Sequence, residues 1–251
     1  MGQRGTAGTA AQGPTLKVER RVGGKNEPVR DSRGVTDDAA LARDLGRVAG
    51  AQKRFEATIA AFGDEQVREP SSLPEWTVGH LLTHVARNAD SHRRRAEAAV
   101  RGEIVDQYPG GFPARAAEIE DGAARPADEL IDDVRTSAAA MSEGWSQVPG
   151  DAWANVTRDV GGRERPLSAL VGRRWQELEV HRVDLGVGVT HRDWSDDFVA
   201  FWLPRLREGA SGRLAAGVGL PKPGTLDERD ELAWLYGRLE RDDLPELAPW
   251  S

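Results

Sequence analysis

The sequence predicts an all-α protein: a four-helix bundle with a small β-hairpin ahead of its fourth helix and a short, mostly helical C-terminal extension. Three observations carry this. Apolar residues recur at three- and four-residue spacing in four long segments, the links between those segments are short or hairpin-like, and no set of alternating strands follows Trp194.

Residues 1–35 are rich in Gly, Thr, Arg and Lys without apolar periodicity, so they bury too little surface to offset the entropy of ordering. A disordered tail is expected there. The bundle is expected over residues 36–195. Its first helix carries Leu41, Leu45, Val48, Phe55, Ile59 and Phe62 and is closed by Gly63. A Pro-Ser-Ser loop then leads to Thr77, an N-cap residue for a second helix whose stripe is Val78, Leu81, Leu82, Val85 and Ala89, running toward Arg101 and Gly102. Tyr108 to Pro113 reads as a loop. Pro126 suits the first position of a third helix carrying Leu130, Val134, Met141 and Trp145. Trp153 to Arg165, turning at Gly161-Gly162, reads as the hairpin, after which Pro166 opens a fourth helix with Leu167, Leu170, Val171, Trp175 and Leu178. Residues 196–251 are expected to form the extension, with a fifth helix from Phe198 to Leu206, a Gly/Pro loop around Gly217 to Gly224, and a sixth helix from Leu232 to Leu239.

Composition narrows the function. The chain has 251 residues, 39% of them hydrophobic, which is ample for a core, and its net charge of -7 supplies no basic field to draw nucleic acid or an anionic membrane surface. A small-molecule partner is expected instead. Apolar runs never approach the ~18 residues needed to span a bilayer, and the N-terminus lacks the apolar core of a signal peptide, so a cytoplasmic location is expected. The absence of cysteine removes disulfides, thiolate metal ligands and a cysteine nucleophile together. Any thiol chemistry must use a thiol from another molecule.

Two helical segments concentrate the residues able to do chemistry, Trp76 to His84 and Trp175 to His181. At about 100° per residue, His84 lies roughly 120° and His80 roughly 160° from the centre of the second helix's apolar stripe. On the fourth helix His181 lies roughly 60° and Glu177 roughly 100° from the stripe through Val171 and Leu178, both on the same flank. Such positions suit a crevice between helices. Two imidazoles and a carboxylate suit zinc or another divalent metal, and three protein ligands leave a fourth position open for water or substrate. The competing reading is a solvated Glu–His pair four residues apart, worth a few tenths of a kcal/mol. His80 is expected at the rim, His92 and His191 in solvent, Arg93-Arg94-Arg95 on a solvated face, and Trp76 packing at the entry of the second helix. The Gly110-Gly111 and Gly161-Gly162 pairs read as turns rather than phosphate cradles.

The run from Glu75 to Asp90, the Tyr108-Pro109-Gly110-Gly111 loop and the run from Glu177 to Gly186 resemble the metal-binding domain of mycothiol-dependent maleylpyruvate isomerases, within the DinB-like bundle superfamily. The resemblance covers about residues 37–195. It implies a DinB-like four-helix bundle with zinc held by His84, Glu177 and His181, the three residues that the helical wheel selects. It also implies mycothiol as the borrowed thiol, its thiolate favoured by the cation, adding to the cis double bond of maleylpyruvate, permitting rotation, and leaving to give fumarylpyruvate. Asp184, one turn past His181, is expected to orient that histidine, and Asn88, one turn past His84, to line the thiol pocket. The chain departs from the family after residue 195. Family members carry a second α/β domain that supplies a substrate arginine, whereas only the stretch from Leu232 to Trp250 resembles that domain's end, and no arginine here can be matched to it. Two alternatives therefore stand beside the isomerase: a mycothiol-dependent S-transferase acting on another electrophile, and a non-catalytic metal- or ligand-binding bundle, in either case a monomer or homodimer.

Overall fold

The structure, a computed structural model, describes residues 34–248, and of residues 34–37 the backbone alone. The tail expected over residues 1–35 lies outside that range except for its last two residues, which begin the first helix. The four bundle helices are α1 (Gly34–Ile59), α3 (Val78–Val100), α5 (Ala127–Ser146) and α6 (Ala169–Asp184). Between them come α2 (Asp64–Arg68), α4 (Gly111–Ala123) and a hairpin of β1 (Val156–Arg158) and β2 (Glu164–Pro166), and after them α7 (Asp196–Ala210) and α8 (Glu228–Leu235). Helix α3 packs against α5 and α6, and α1 against the same two, which closes the four into a ring. The expected all-α fold is the one observed.

Local chemistry explains where the helices start. Thr77 takes an extended conformation and accepts from the His80 N–H, while the His80 ring receives the Thr77 N–H, so histidine fills the place usually held by Glu or Gln in a capping box. Removing the Thr77 hydroxyl costs about 1 kcal/mol. Helix α3 then buries Val78, Leu81, Leu82, Val85, Ala86 and Ala89 on its apolar face. Gly79 lets α4 approach closely: a Cβ there would sit 2.3 Å from the Ala123 carbonyl oxygen, so no other residue fits.

Several expectations are corrected. Residues 111–113, read as loop, form the first turn of α4, because Gly110 and Gly111 adopt the left-handed backbone that launches it. Pro126 is the N-cap of α5 rather than its first helical residue. Pro166 ends β2, paired with Val156, and α6 begins only after Ser168. The hairpin itself stands as expected, turning at Gly162. Helix α8 starts at Glu228, capped by the Asp227 carboxylate, and stops at Leu235 ahead of Gly237 with its positive φ.

The C-terminal helices are not loosely attached. Trp175 of α6 meets Phe198 of α7 edge-on at 5.2 Å, and Trp194 meets Tyr236 at 5.7 Å, so α7 and α8 share one apolar core with the bundle. Trp194 also donates its indole N–H to the Glu179 carbonyl at 3.0 Å. No described helix is long and apolar enough to cross a membrane.

Candidate active site

Helices α3 and α6 run antiparallel, which brings the second turn of α3 beside the C-terminal half of α6. Arg174 fixes this register: it is fully buried and donates to the Val85 carbonyl at 2.8 Å and to the Asn88 side-chain oxygen at 2.9 Å. One turn further along, His84 Nε2 lies 3.0 Å from Glu177 Oε2 and 3.2 Å from His181 Nε2. His181 Nε2 is 3.1 Å from the same carboxylate oxygen. These are the donor atoms that sequence spacing and resemblance select, and they form a nearly equilateral triangle.

The triangle fits a tetrahedral cation. Ligand bonds of about 2.0–2.1 Å set donor-to-donor edges of about 3.3 Å, within a few tenths of an ångström of the edges found. Without a cation both Nε2 atoms turn to the one Glu177 oxygen, and the two nitrogens, 3.2 Å apart, have no favourable bond to each other when both carry protons. Arg115 of α4 places Nη2 3.0 Å from His84 Nδ1, and a guanidinium only donates, so Nδ1 accepts and His84 carries its proton on Nε2. Burial lowers the His84 pKa to about 4 against the opposing pull of Glu177. Burial also disfavours a charged His181, but hydrogen bonds to Asp184 and Glu177 outweigh it and raise that pKa to about 9. Desolvation would raise Glu177, yet its bonds to the two histidines hold it well below the usual carboxylate range.

These protonation states set a pH dependence. A cation taken up at His181 Nε2 would have to displace the proton held up to about pH 9. His84, already neutral, has only to change tautomer, with Arg115 turning aside. One proton would therefore be released per ion bound. The apparent affinity for a divalent metal is expected to rise about tenfold per pH unit between about pH 6 and about pH 8 and to flatten near pH 9. Competition with a chromophoric chelator across that range measures it, and an affinity flat with pH would rule out His181 as a protonated ligand.

The surroundings extend the triad. Asp184 is fully buried and its Oδ2 sits 2.9 Å from His181 Nδ1, which leaves Nε2 for the crevice. Arg238, just after α8, grips the same carboxylate with Nε and Nη2, each at 2.8 Å. Trp76 tilts over His84 at 5.6 Å, and Arg115 stands above the Trp76 and Tyr108 rings. His80 is at the rim as expected: its Nε2 faces Glu120 at 3.1 Å and its Nδ1 serves the cap, so it lies apart from the triangle.

Two cavities border Glu177. The larger, about 590 Å³, is walled by Glu177, His181, Trp202, Tyr236, Arg205 and Arg238 among others. The smaller, about 260 Å³, lies between α3, the hairpin and α6, with Asn88 on its wall. His92 and Arg95, expected in solvent, are both buried and face this smaller chamber, and His191 is half-buried against Asp230 at 2.8 Å. The sequence does carry a signal for His92 and Arg95: His84, Asn88, His92 and Arg95 follow one another at four, four and three residues, a polar stripe along the face of α3 turned to α6. Arg115 has no such signal, because the helix that bears it buries only Ile119 and Ala123.

Residues 48–186 match the family described as the mycothiol maleylpyruvate isomerase N-terminal domain. The chain belongs to that family. Solved structures agree on the fold. A crystal structure of the mycothiol-dependent maleylpyruvate isomerase superposes with a TM-score of 0.72 at 23% identity, covering 82% of this chain and 91% of that one. A crystal structure of a mutant of that isomerase gives the same score and identity over 79% and 89% of the two chains. No curated protein matches the sequence. The family match spans α3, the hairpin and all of α6 and so contains His84, Glu177 and His181.

Proposed function

We propose that the chain is a metal-dependent, mycothiol-using isomerase of the maleylpyruvate isomerase type, with His84, Glu177 and His181 holding zinc or another divalent cation. The carrying observation is the convergence of three donor atoms, each about 3 Å from the other two, on a corner that opens to a cavity large enough for a sugar-bearing thiol. Residues 36–195 form the metal-binding bundle in this reading, and residues 196–251 an extension that closes the larger cavity.

A bound cation supplies a positive charge that favours thiolate over thiol at the open position. The residues do the rest. Asp184 holds the His181 ring so that Nε2 faces the crevice, and Arg238 fixes Asp184 from the other side. The indole N–H of Trp202 and the hydroxyl of Tyr236 are buried without partners among the described residues on the wall of the larger cavity, which suits a ligand rich in hydroxyl groups. Sulfur addition to a cis double bond, rotation about the resulting single bond and departure of the same sulfur leave the atom count unchanged. The chain needs no cysteine for this, and it has none.

Metal analysis of protein purified without chelator, followed by titration with mycothiol and then maleylpyruvate, tests the reading. About one metal ion per chain, saturable thiol binding and thiol-dependent loss of maleylpyruvate are expected. Metal and thiol binding with turnover only of other electrophiles would reassign the chain as an S-transferase. A folded protein with neither metal nor turnover would make it a non-catalytic bundle.

A further inference from the structure

The smaller chamber holds more positive charge than its own side chains neutralise. Arg95 is 3% exposed, donates to the Arg158 carbonyl at 3.2 Å, and leaves its Nε without a partner among the described residues. Among the described residues no carboxylate lies within ion-pair distance of Arg95 or of Arg173. Arg163 and Arg165 share the single carboxylate of Asp159, at 3.3 and 3.6 Å, and Arg165 reaches it only through its buried Nε, beyond hydrogen-bond distance. The other acid on the wall, Glu177, is committed to the two histidines. His92, 1% exposed and resting on the Trp145 ring at 5.9 Å, has an Nδ1 without a partner among the described residues as well.

A buried guanidinium without a counter-charge is costly, and replacing one by an apolar side chain of similar size ordinarily leaves a fold equally or more stable. Burial accordingly lowers the Arg95 pKa to about 10, with only distant charges opposing it. Retaining four arginines around about 260 Å³ is explained when an anion completes the set. With Asp159 the one uncommitted acid on the wall, the four arginines leave an excess of about three positive charges, more than a monocarboxylate neutralises, and the volume suits an acid of a few carbons.

We infer that this chamber is a binding site for a small dicarboxylate, with Arg95 as the buried anchor and Arg163, Arg165 and Arg173 as the rim. The rim arginines and Glu177 line both chambers, so an acid held here reaches the boundary with the larger cavity. The further assignment of this acid as the electrophile, with the thiol in the larger cavity, rests on the isomerase reading. The dicarboxylate site does not.

Calorimetric titration of the full chain with maleate, in metal-loaded and chelator-treated forms, tests it. Wild-type protein binds maleate in both forms. Arg95→Met weakens binding by about tenfold or more, as loss of a charged hydrogen-bonding anchor does, with a Tm equal to or above wild type and unchanged metal content and mycothiol affinity. The rim double variant Arg165→Gln/Arg173→Gln, at exposed or half-exposed positions, weakens maleate similarly and guards against misfolding of the first. Maleate binding that survives both variants, or is absent from metal-loaded wild type, overturns the inference. Arg95-dependent binding in a protein that takes up no metal would leave the chamber standing while the isomerase reading falls.

Discussion

His84→Ala is expected to purify without metal and to lose thiol-dependent turnover by at least about a thousandfold, while remaining folded. The imidazole supplies one corner of the donor triangle, and the two remaining donors come from a single turn of α6, too few to hold a catalytic cation against buffer. The fold survives because His84 makes no contact on which the bundle depends. Its neighbours are Trp76, the Arg115 guanidinium and the two α6 ligands, and the buried imidazole is neutral, so its removal leaves no stranded charge. The thermal response separates lost metal from lost structure. In wild type, a cation at about a thousand times its dissociation constant stabilises by about 4 kcal/mol, and a chelator should lower Tm by several degrees. In the variant, zinc and chelator should leave Tm alone. Elemental analysis showing wild-type metal content in folded His84→Ala, or an unchanged zinc-dependent Tm shift, would remove His84 from the site.

Much of this arrangement is legible in the amino-acid sequence, for specific reasons. Helix α3 has a wide apolar stripe, a threonine cap and a glycine just beyond its end, so its limits follow from local chemistry alone. The spacing of Glu177 and His181 puts both on one flank of α6 whatever the tertiary fold. Spacing is silent on whether α3 and α6 face each other, and family resemblance supplies that step. The helices that sequence periodicity misses are those whose amphipathic signal is weak: α2 has five residues, and α4 turns only Ile119 and Ala123 fully inward, lodging against Gly79 because that glycine lacks a side chain. Arg115 is hidden along with α4.

His92 and Arg95 escape sequence reasoning for a different reason. A run of three arginines resembles a solvated face, and taken singly each is more often outside than in. The decisive pattern is the polar stripe from His84 to Arg95, which is visible only when polar residues are placed on the wheel along with apolar ones. That stripe is turned to α6 and the hairpin, and its burial is what leaves a cationic chamber beside the corner formed by His84, Glu177 and His181. Pattern reading built on hydrophobicity finds cores before it finds sites. The same bias hides Arg238, whose value lies in one buried carboxylate 54 residues earlier in the chain.

Asp184→Asn is expected to weaken metal binding about 10- to 100-fold and to cost about 2–3 kcal/mol of stability, at the low end for a broken buried pair because Arg238 is a quarter exposed. Asp184 has no accessible surface and accepts from His181 Nδ1 and from two nitrogens of Arg238. Desolvation alone would raise its pKa, but these bonds outweigh it and hold the carboxyl below its ordinary value. A depressed carboxylate contributes stability above its unfolded pKa and loses it as pH falls through the folded value, so the wild-type advantage over Asp184→Asn should shrink in acid. The amide keeps the volume, yet it can no longer hold His181 by a charged bond, and it leaves the Arg238 charge without a partner. Arg238→Gln separates the two effects. It should lower Tm by a similar few degrees, because the segment after α8 loses its tether, while the His181–Asp184 bond and metal affinity stay close to wild type. Chelator competition and thermal unfolding on both variants decide the matter. If both lose metal equally, the pair acts only as structural support. If Asp184→Asn loses stability alone, with metal affinity intact, His181 is oriented by its own helix and Asp184 has no part in the site.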